Sequence, residues 1–162
     1  GCPQGIRRSP DELGRERRLF AELHREAAAR AGHGRLPLSI NSHTYVAETS
    51  QQAAREFFPP YAAMMNAIGR ERGWSGIGER EFEALRSPRG ALVVGSPQEV
   101  IEKILFQHEI FGHDRFLVQF TIGGIPHEGI LRSIELLGRA VVPAVREELA
   151  RGDAGTARTT DR

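Results

Sequence analysis

Phe116-Leu-Val-Gln-Phe-Thr-Ile-Gly-Gly-Ile-Pro-His-Glu128, running on into Gly129-Ile-Leu-Arg-Ser-Ile-Glu-Leu-Leu137, decides how this chain is read. Phe116 to Ile122 is an apolar run fit for a buried strand. Gly123-Gly124 is a turn, and Ile130, Leu131, Ile134 and Leu137 recur at helical spacing. Strand, glycine turn and amphipathic helix make one unit of a parallel β/α fold. In such folds the turn after the strand is where ligands are met.

Working outward, Ala91-Leu-Val-Val94 is a second, shorter apolar run. It meets Ser96-Pro97-Gln98-Glu99, a capping box that opens a helix with Val100, Ile104, Leu105, His108 and Phe111 on its inner face. Leu36 to Ala47 is another strand. Leu38, Ile40, Ser42, Thr44 and Val46 share one side, and Ser39, Asn41, His43 and Tyr45 the other. That second side is polar for a strand that a parallel sheet buries on both faces. Before it, Ser9-Pro10-Asp11-Glu12 starts a helix with Leu13, Phe20, Leu23, Ala27 and Ala31 inward, ending at Gly32-His33-Gly34. Thr49 to Gln52 caps a further helix with the stripe Ala53, Phe57, Tyr61, Met64 and Ile68, which Pro59-Pro60 should kink or break. Residues 51–88, with the loop Gly73 to Gly78, read as an excursion over the ends of the core elements. The last helix is expected from Pro126 to about Leu149, kinked by Pro143. Residues 1–8 read as a loose leader, 9–150 as the domain, and 151–162 as a disordered tail.

The order of elements gives an α/β class with parallel strands. Only two strands are long enough to be convincing, and two parallel strands cannot cover their faces or edges. The expectation is a part of a larger fold, or a chain that assembles with copies of itself.

Composition bounds the function. The 162 residues carry 22 Lys and Arg against 21 Asp and Glu, a formal charge of +1 that offers no electrostatic case for nucleic acid or an acidic membrane. No apolar run approaches the ~20 residues of a membrane span. The single Cys2 permits no internal disulfide, so a reducing cytoplasm is the expected compartment. Six histidines show neither HxxxH nor HExxH spacing, and no metal site is expected. GxSxG and P-loop patterns are also missing.

The candidate chemistry lies at four places. His43 and Asn41 share the polar strand side, where a bound ligand, a neighbouring strand or water must satisfy them. Gln119 interrupts an apolar strand by the same logic. Gly123-Gly124 either lets a ligand approach the backbone or simply makes a tight turn. His127 and Glu128, in the first turn of the last helix, are either an acid/base pair or surface residues with Glu128 facing the helix dipole. Met64-Met65, Tyr61 and Trp74 either line an apolar pocket or serve as helix core and loop anchor.

The motifs Ala91-Leu-Val-Val-Gly-Ser-Pro-Gln-Glu-Val-Ile-Glu-Lys-Ile104, Asp114-Arg-Phe-Leu-Val-Gln119, Gly123-Gly-Ile-Pro-His127, Ser133-Ile-Glu-Leu-Leu137 and Val142-Pro143 resemble, in this order, the C-terminal end of a bacterial luciferase-like flavin monooxygenase. Asn41-Ser-His-Thr-Tyr-Val-Ala47, Tyr61-Ala-Ala-Met-Met-Asn66 and Arg70-Glu-Arg-Gly-Trp74 are similar to one branch of that family. The resemblance covers about Leu19 to Glu148. It implies the C-terminal portion of a TIM (β/α)8 barrel, incomplete on its own, with Leu38–Ala47 and Phe116–Ile122 as its last two strands. It also implies reduced FMN (a deazaflavin in some branches), oxygen and a small organic substrate, with a flavin reductase as supplier. His43, as the catalytic candidate, and Asn41 and Gln119 would face flavin or substrate, and Gly123-Gly124 would shape the rim. The family binds most of its flavin, including the phosphate, on earlier strands that this sequence does not match. A barrel of this type needs ~250 residues. The expectation is therefore a truncated or split barrel that needs a missing N-terminal half or further copies of itself. The alternative is a non-catalytic remnant that folds by self-association. A small acid/base enzyme using His127 and Glu128 is the weaker third reading.

Overall fold

The computed structural model describes residues 10–159, and side chains from 18 to 152. The expected leader over 1–8 and the Ser9 cap lie outside the described residues. In chain order the elements are α1 (Pro10–Arg30), β1 (Ser39–Val46), α2 (Ser50–Arg72), α3 (Glu79–Arg86), β2 (Val93–Gly95), α4 (Pro97–Phe111), β3 (Arg115–Gln119), α5 (His127–Leu136), a five-residue π-helical segment (Leu137–Val141) and α6 (Val142–Thr159).

The short run at residues 91–94 contributes a third strand, where only two were expected to be convincing. The sheet is parallel, in the order β2-β1-β3. Its pairing is staggered. β3 lies along the first part of β1, from Ser39↔Arg115 to His43↔Gln119, and β2 lies along the last part, from Thr44↔Val93 to Val46↔Gly95. At the lower end the Asp114 carboxylate accepts the Leu38 N–H (2.8 Å) and pairs with Arg35 (2.6 Å), which aligns the starts of β1 and β3. At the upper end the Val46 N–H points to the side where β3 has already ended. It donates instead to the Ser133 Oγ of α5 at 2.7 Å, and Ser133 is completely buried. A lone strand N–H is thus satisfied by a helix hydroxyl.

The two faces of β1 lead into two cores. Val46 and Val93 pack with Val100 and Ile104 of α4 and with Val141, and Phe116 joins from β3. On the other face Tyr45 and Val94 pack with Ala53, Phe57 and Tyr61 of α2, Phe82 of α3, and Ile122 and Ile125 after β3. The aromatic rings touch in series, with centroids 5.8 Å apart for Tyr45–Phe57 and 5.5 Å for Phe57–Tyr61.

The caps read from the sequence form where side chains can reach. Thr49 accepts from the Gln52 N–H, and Ser96 and Glu99 exchange bonds around Pro97 at the start of α4. Several expectations do not hold. α2 continues through Pro59-Pro60, because its aromatic face is held by the core on both sides of the prolines. Pro143 follows a π-helical turn in which the Val142 N–H reaches Leu137 O, so the helix widens by one residue just before the proline. α6 runs to Thr159, through most of the stretch expected as a tail, since a helix already nucleated gains a backbone bond per added residue. β3 ends at Gln119, short of Ile122. α1 turns small residues inward: Ala21 and Ala28 are buried, while Phe20 and Leu23 are exposed. α1 lies against α4, and Arg25 of α1 donates to Phe111 O at the end of α4. Close contact favours alanine over the bulkier stripe.

Lys103 holds the connection between α3 and β2. It is 5% exposed, and its Nζ donates to Arg86 O (3.2 Å), Ser87 O (2.6 Å) and Leu92 O. A buried ammonium is tolerated only when carbonyls replace its water. No helix among the described residues is long and apolar enough to cross a membrane.

Replacing Lys103 by Met keeps the aliphatic stem and removes the donor. Urea unfolding should show a loss of about 1.5–3 kcal/mol, the value of hydrogen bonds to a charged group. Ser133→Ala should cost about 1–3 kcal/mol, because the Val46 N–H is left buried without an acceptor. An unchanged midpoint in either variant would contradict the role given to that residue.

Candidate functional site

β1 and β3 bring three of the polar candidates onto one face of the sheet. Asn41 and His43 alternate on β1 with Leu117 and Gln119 directly opposite on β3, so His43 and Gln119 are register partners. Asn41 and Gln119 are exposed, and His43 is half-buried. The two carboxamides line a shallow groove of about 470 Å³ together with Leu117, Phe120, Thr121, Ile130 and Ile134.

Among the described residues four buried polar atoms lack a partner, His43 Nδ1, Gln107 Oε1, His113 Nδ1 and Arg132 Nε, and of these His43 lies on the polar side of β1. Its Nδ1 is buried without a hydrogen-bond partner, and its ring meets the edge of Tyr61 at 6.0 Å. Burial lowers its pKa from the usual histidine value, so the imidazole is held neutral near pH 7. Neutral, it has one donor and one acceptor to offer. Tyr61, 5% exposed, has its hydroxyl pKa raised by the same burial. The helical stripe of α2 shows in the sequence that Tyr61 turns inward. Which strand residue it would meet is not readable there, because that depends on how α2 crosses the sheet.

One turn further along β1, Tyr45 anchors the helices over this end of the sheet. Its hydroxyl donates to Glu56 Oε2 at 2.6 Å, Gln52 donates to Glu56 Oε1 at 2.9 Å, and Arg132 of α5 spans both Glu56 oxygens at 2.9 and 3.1 Å. Burial and the Glu56 carboxylate push the Tyr45 pKa up to about 12. Burial alone would raise Glu56; the hydrogen bonds from Tyr45 and Gln52 and the Arg132 guanidinium outweigh it and pull it down. Gly129 makes this possible, since a Cβ there would lie 2.6 Å from the Tyr45 hydroxyl. The first turns of α2 are therefore clasped onto β1 and α5. None of these residues was singled out as a cluster from the sequence, because they are spread over three elements with no spacing in common.

Gly123 and Gly124 both sit at φ +77, a conformation that other residues rarely adopt. A side chain on Gly124 would press on Pro60 of α2 at 3.1 Å, while Gly123 faces open space. They turn the chain beneath α2. His127 and Glu128 are exposed in the first turn of α5. Met64 and Met65 pack against the aromatic core, and Trp74 is 45% exposed with Arg72 over its ring. Among the described residues no group of three or more His, Cys, Asp or Glu could hold a metal ion.

No family model matches the chain. Over 66 residues, 41% of this chain, it is 33% identical to the uncharacterized protein y4vJ of Sinorhizobium fredii, and the match spans 19% of that protein. The structure is similar to monooxygenase RslO1 from Streptomyces bottropensis, with a TM-score of 0.60 and 20% identity over 83% of this chain and 45% of that one. It is also similar to the oxygenating constituent of 3,6-diketocamphane monooxygenase from the CAM plasmid of Pseudomonas putida, a type II Baeyer–Villiger monooxygenase in complex with FMN. There the TM-score is 0.56 and the identity 22%, over 85% of this chain and 41% of that one. The chain thus spans less than half the length of each. At these identities the likeness is one of fold: this parallel sheet and its helices correspond to part of a monooxygenase chain, as expected of a partial barrel.

Proposed function

We propose that this chain is the C-terminal part of a luciferase-like, flavin-dependent monooxygenase barrel acting on a small organic molecule. The observation that carries this reading is the polar side of β1 and β3, with a buried, unpartnered His43 Nδ1, in a fold shared with a monooxygenase that holds FMN. β1 and β3 would be the last two barrel strands, and the rest of the barrel would come from residues outside this chain.

The donors present fit one part of reduced FMN. The carboxamides of Asn41 and Gln119 can meet the carbonyl and N–H edge of the ring system, and His43 can accept or donate one hydrogen bond there. The groove that Asn41 and Gln119 line holds no Lys or Arg, so nothing in it would meet the phosphate. When bound, the reduced flavin supplies the electrons that activate oxygen, one atom of which enters the substrate while the other leaves as water. A separate flavin reductase would supply it. His43, neutral near pH 7, would hold or pass a proton at Nδ1. Tyr61 would keep the imidazole ring in place, and α2 would exclude water above it. Gly123-Gly124 would shape the rim. The groove without a cation also favours a second reading, a barrel remnant that folds by self-association and has no catalysis.

Titration of the full chain with reduced FMN under nitrogen, followed by tryptophan fluorescence, tests the first reading. Saturable binding is expected, weakened about tenfold by His43→Ala and by Gln119→Leu, the loss of one hydrogen bond each. An absence of binding, or equal binding by the wild type and both variants, would leave the second reading.

A further inference from the structure

A second pocket, of about 470 Å³, lies on the Val46 face of the sheet, where Phe116 joins α4 and Val141. That volume is in the range of small-molecule sites. Its apolar wall is made by Ile104, Phe116 and the stripe Leu137, Val141, Val145 and Leu149, which recur at spacings of four. The π-helical turn at Leu137–Val141 lies in this wall, and such turns recur at functional sites. The polar groups gather at one end. α4 runs against the parallel strands, so His108 in its last turn meets Arg35, His113 and Asp114 beside the starts of β1 and β3, and Arg146 of α6 joins them. Arg35 is paired with Asp114 at 2.6 Å, whereas Arg146 has no ion pair among the described residues. His113 is 6% exposed, and its Nδ1 has no hydrogen-bond partner. Its ring centroid is 5.2 Å from that of His108 and 5.8 Å from that of Phe116. Burial and the nearby His108 keep its pKa below the usual histidine value, so the ring is neutral near pH 7.

We propose that this pocket binds a small amphipathic carboxylate, a medium-length acyl chain with one acid head. The chain lies along the Leu137–Leu149 stripe and against Ile104 and Phe116. The head sits at the polar end, where the Arg146 guanidinium pairs with it and the His113 ring, with its proton on Nδ1, donates to one of its oxygens. This supplies a partner to a buried nitrogen that the fold itself leaves without one. The Asp114 carboxylate does not oppose the head, because its charge is already met by Arg35. A neutral alcohol of the same length gains the apolar contact and lacks the charge, and a cationic amphiphile is repelled by Arg146. The inference rests on these residues and not on the flavin reading.

Isothermal titration of the full chain with octanoate at pH 7 should show saturable binding at one site, about tenfold tighter than octanol, and octyltrimethylammonium should not bind. Arg146→Gln should weaken octanoate about tenfold, the loss of one charge-assisted hydrogen bond, and leave octanol unchanged. Arg146 is exposed, so the far-ultraviolet circular dichroism and the melting of this variant should match the wild type. His113→Leu should weaken octanoate to a similar degree, and His113→Gln, which keeps a donor, should restore most of it. No saturable binding of octanoate, equal affinity for octanol, or an Arg146→Gln variant that binds octanoate as the wild type does would each overturn the site. Titration of Arg146→Gln with reduced FMN separates this outcome from the fate of the flavin reading, since the substitution should leave flavin binding at the wild-type level.

Discussion

Everything in this structure depends on how β1 satisfies its two edges. A central parallel strand must place every N–H and C=O, and its neighbours here are too short to do so alone. β3 serves the lower part and β2 the upper part. Where the ladders end, side chains take over: Asp114 at the Leu38 N–H, and the Ser133 Oγ at the Val46 N–H. The stagger also decides what each face of β1 can be. Its upper end, paired with β2, is buried among helices, whereas Ser39 and Asn41, paired with β3, remain exposed on the open face.

The same strand carries the clasp that holds the excursion in place. Tyr45 reaches Glu56, Glu56 reaches Arg132, and so β1, α2 and α5 are tied through one carboxylate. This is a partly buried network with its charges paired, and the desolvation of Glu56 is offset by three donors. It leaves α2 lying over His43 with Tyr61 against the ring. The stretch read from the sequence as an excursion over the core elements is itself packed as core, through Phe57, Tyr61 and Phe82. The residues that anchor α2 thus stand close to His43, whose Nδ1 is buried without a partner.

The open side of β3 is the counterpart of that closed side. Leu117 and Gln119 stand exposed on a strand whose composition is that of an interior strand, and Ile134 and Leu131 stand exposed on the helix beside it. Apolar surface of this kind is matched by a partner in stable proteins. The similar monooxygenase chains are covered to 45% and 41% of their length.

Much of the architecture was legible in the sequence. The capping box at Ser96–Glu99, the alternation in Leu36 to Ala47 and the strand-turn-helix order at 116–137, though with a strand that ends at Gln119, appear because caps and periodicity are local properties of the backbone and its nearest side chains. The polar side of β1 with Asn41 and His43 was legible for the same reason. The register that sets His43 against Gln119 was not, nor were the burial of Ala21 in place of Phe20, the unbroken α2 across Pro59-Pro60, the Tyr45–Glu56–Arg132 clasp, or the Ser133 bond to Val46. Each of these joins residues distant in sequence, and each is settled by which surfaces come into contact. By itself, the sequence determined the elements, their parallel order and the polar residues on offer. Only the tertiary structure decided which of those residues meet and which edge stays open, because pairing and burial depend on distances between elements that no local pattern encodes.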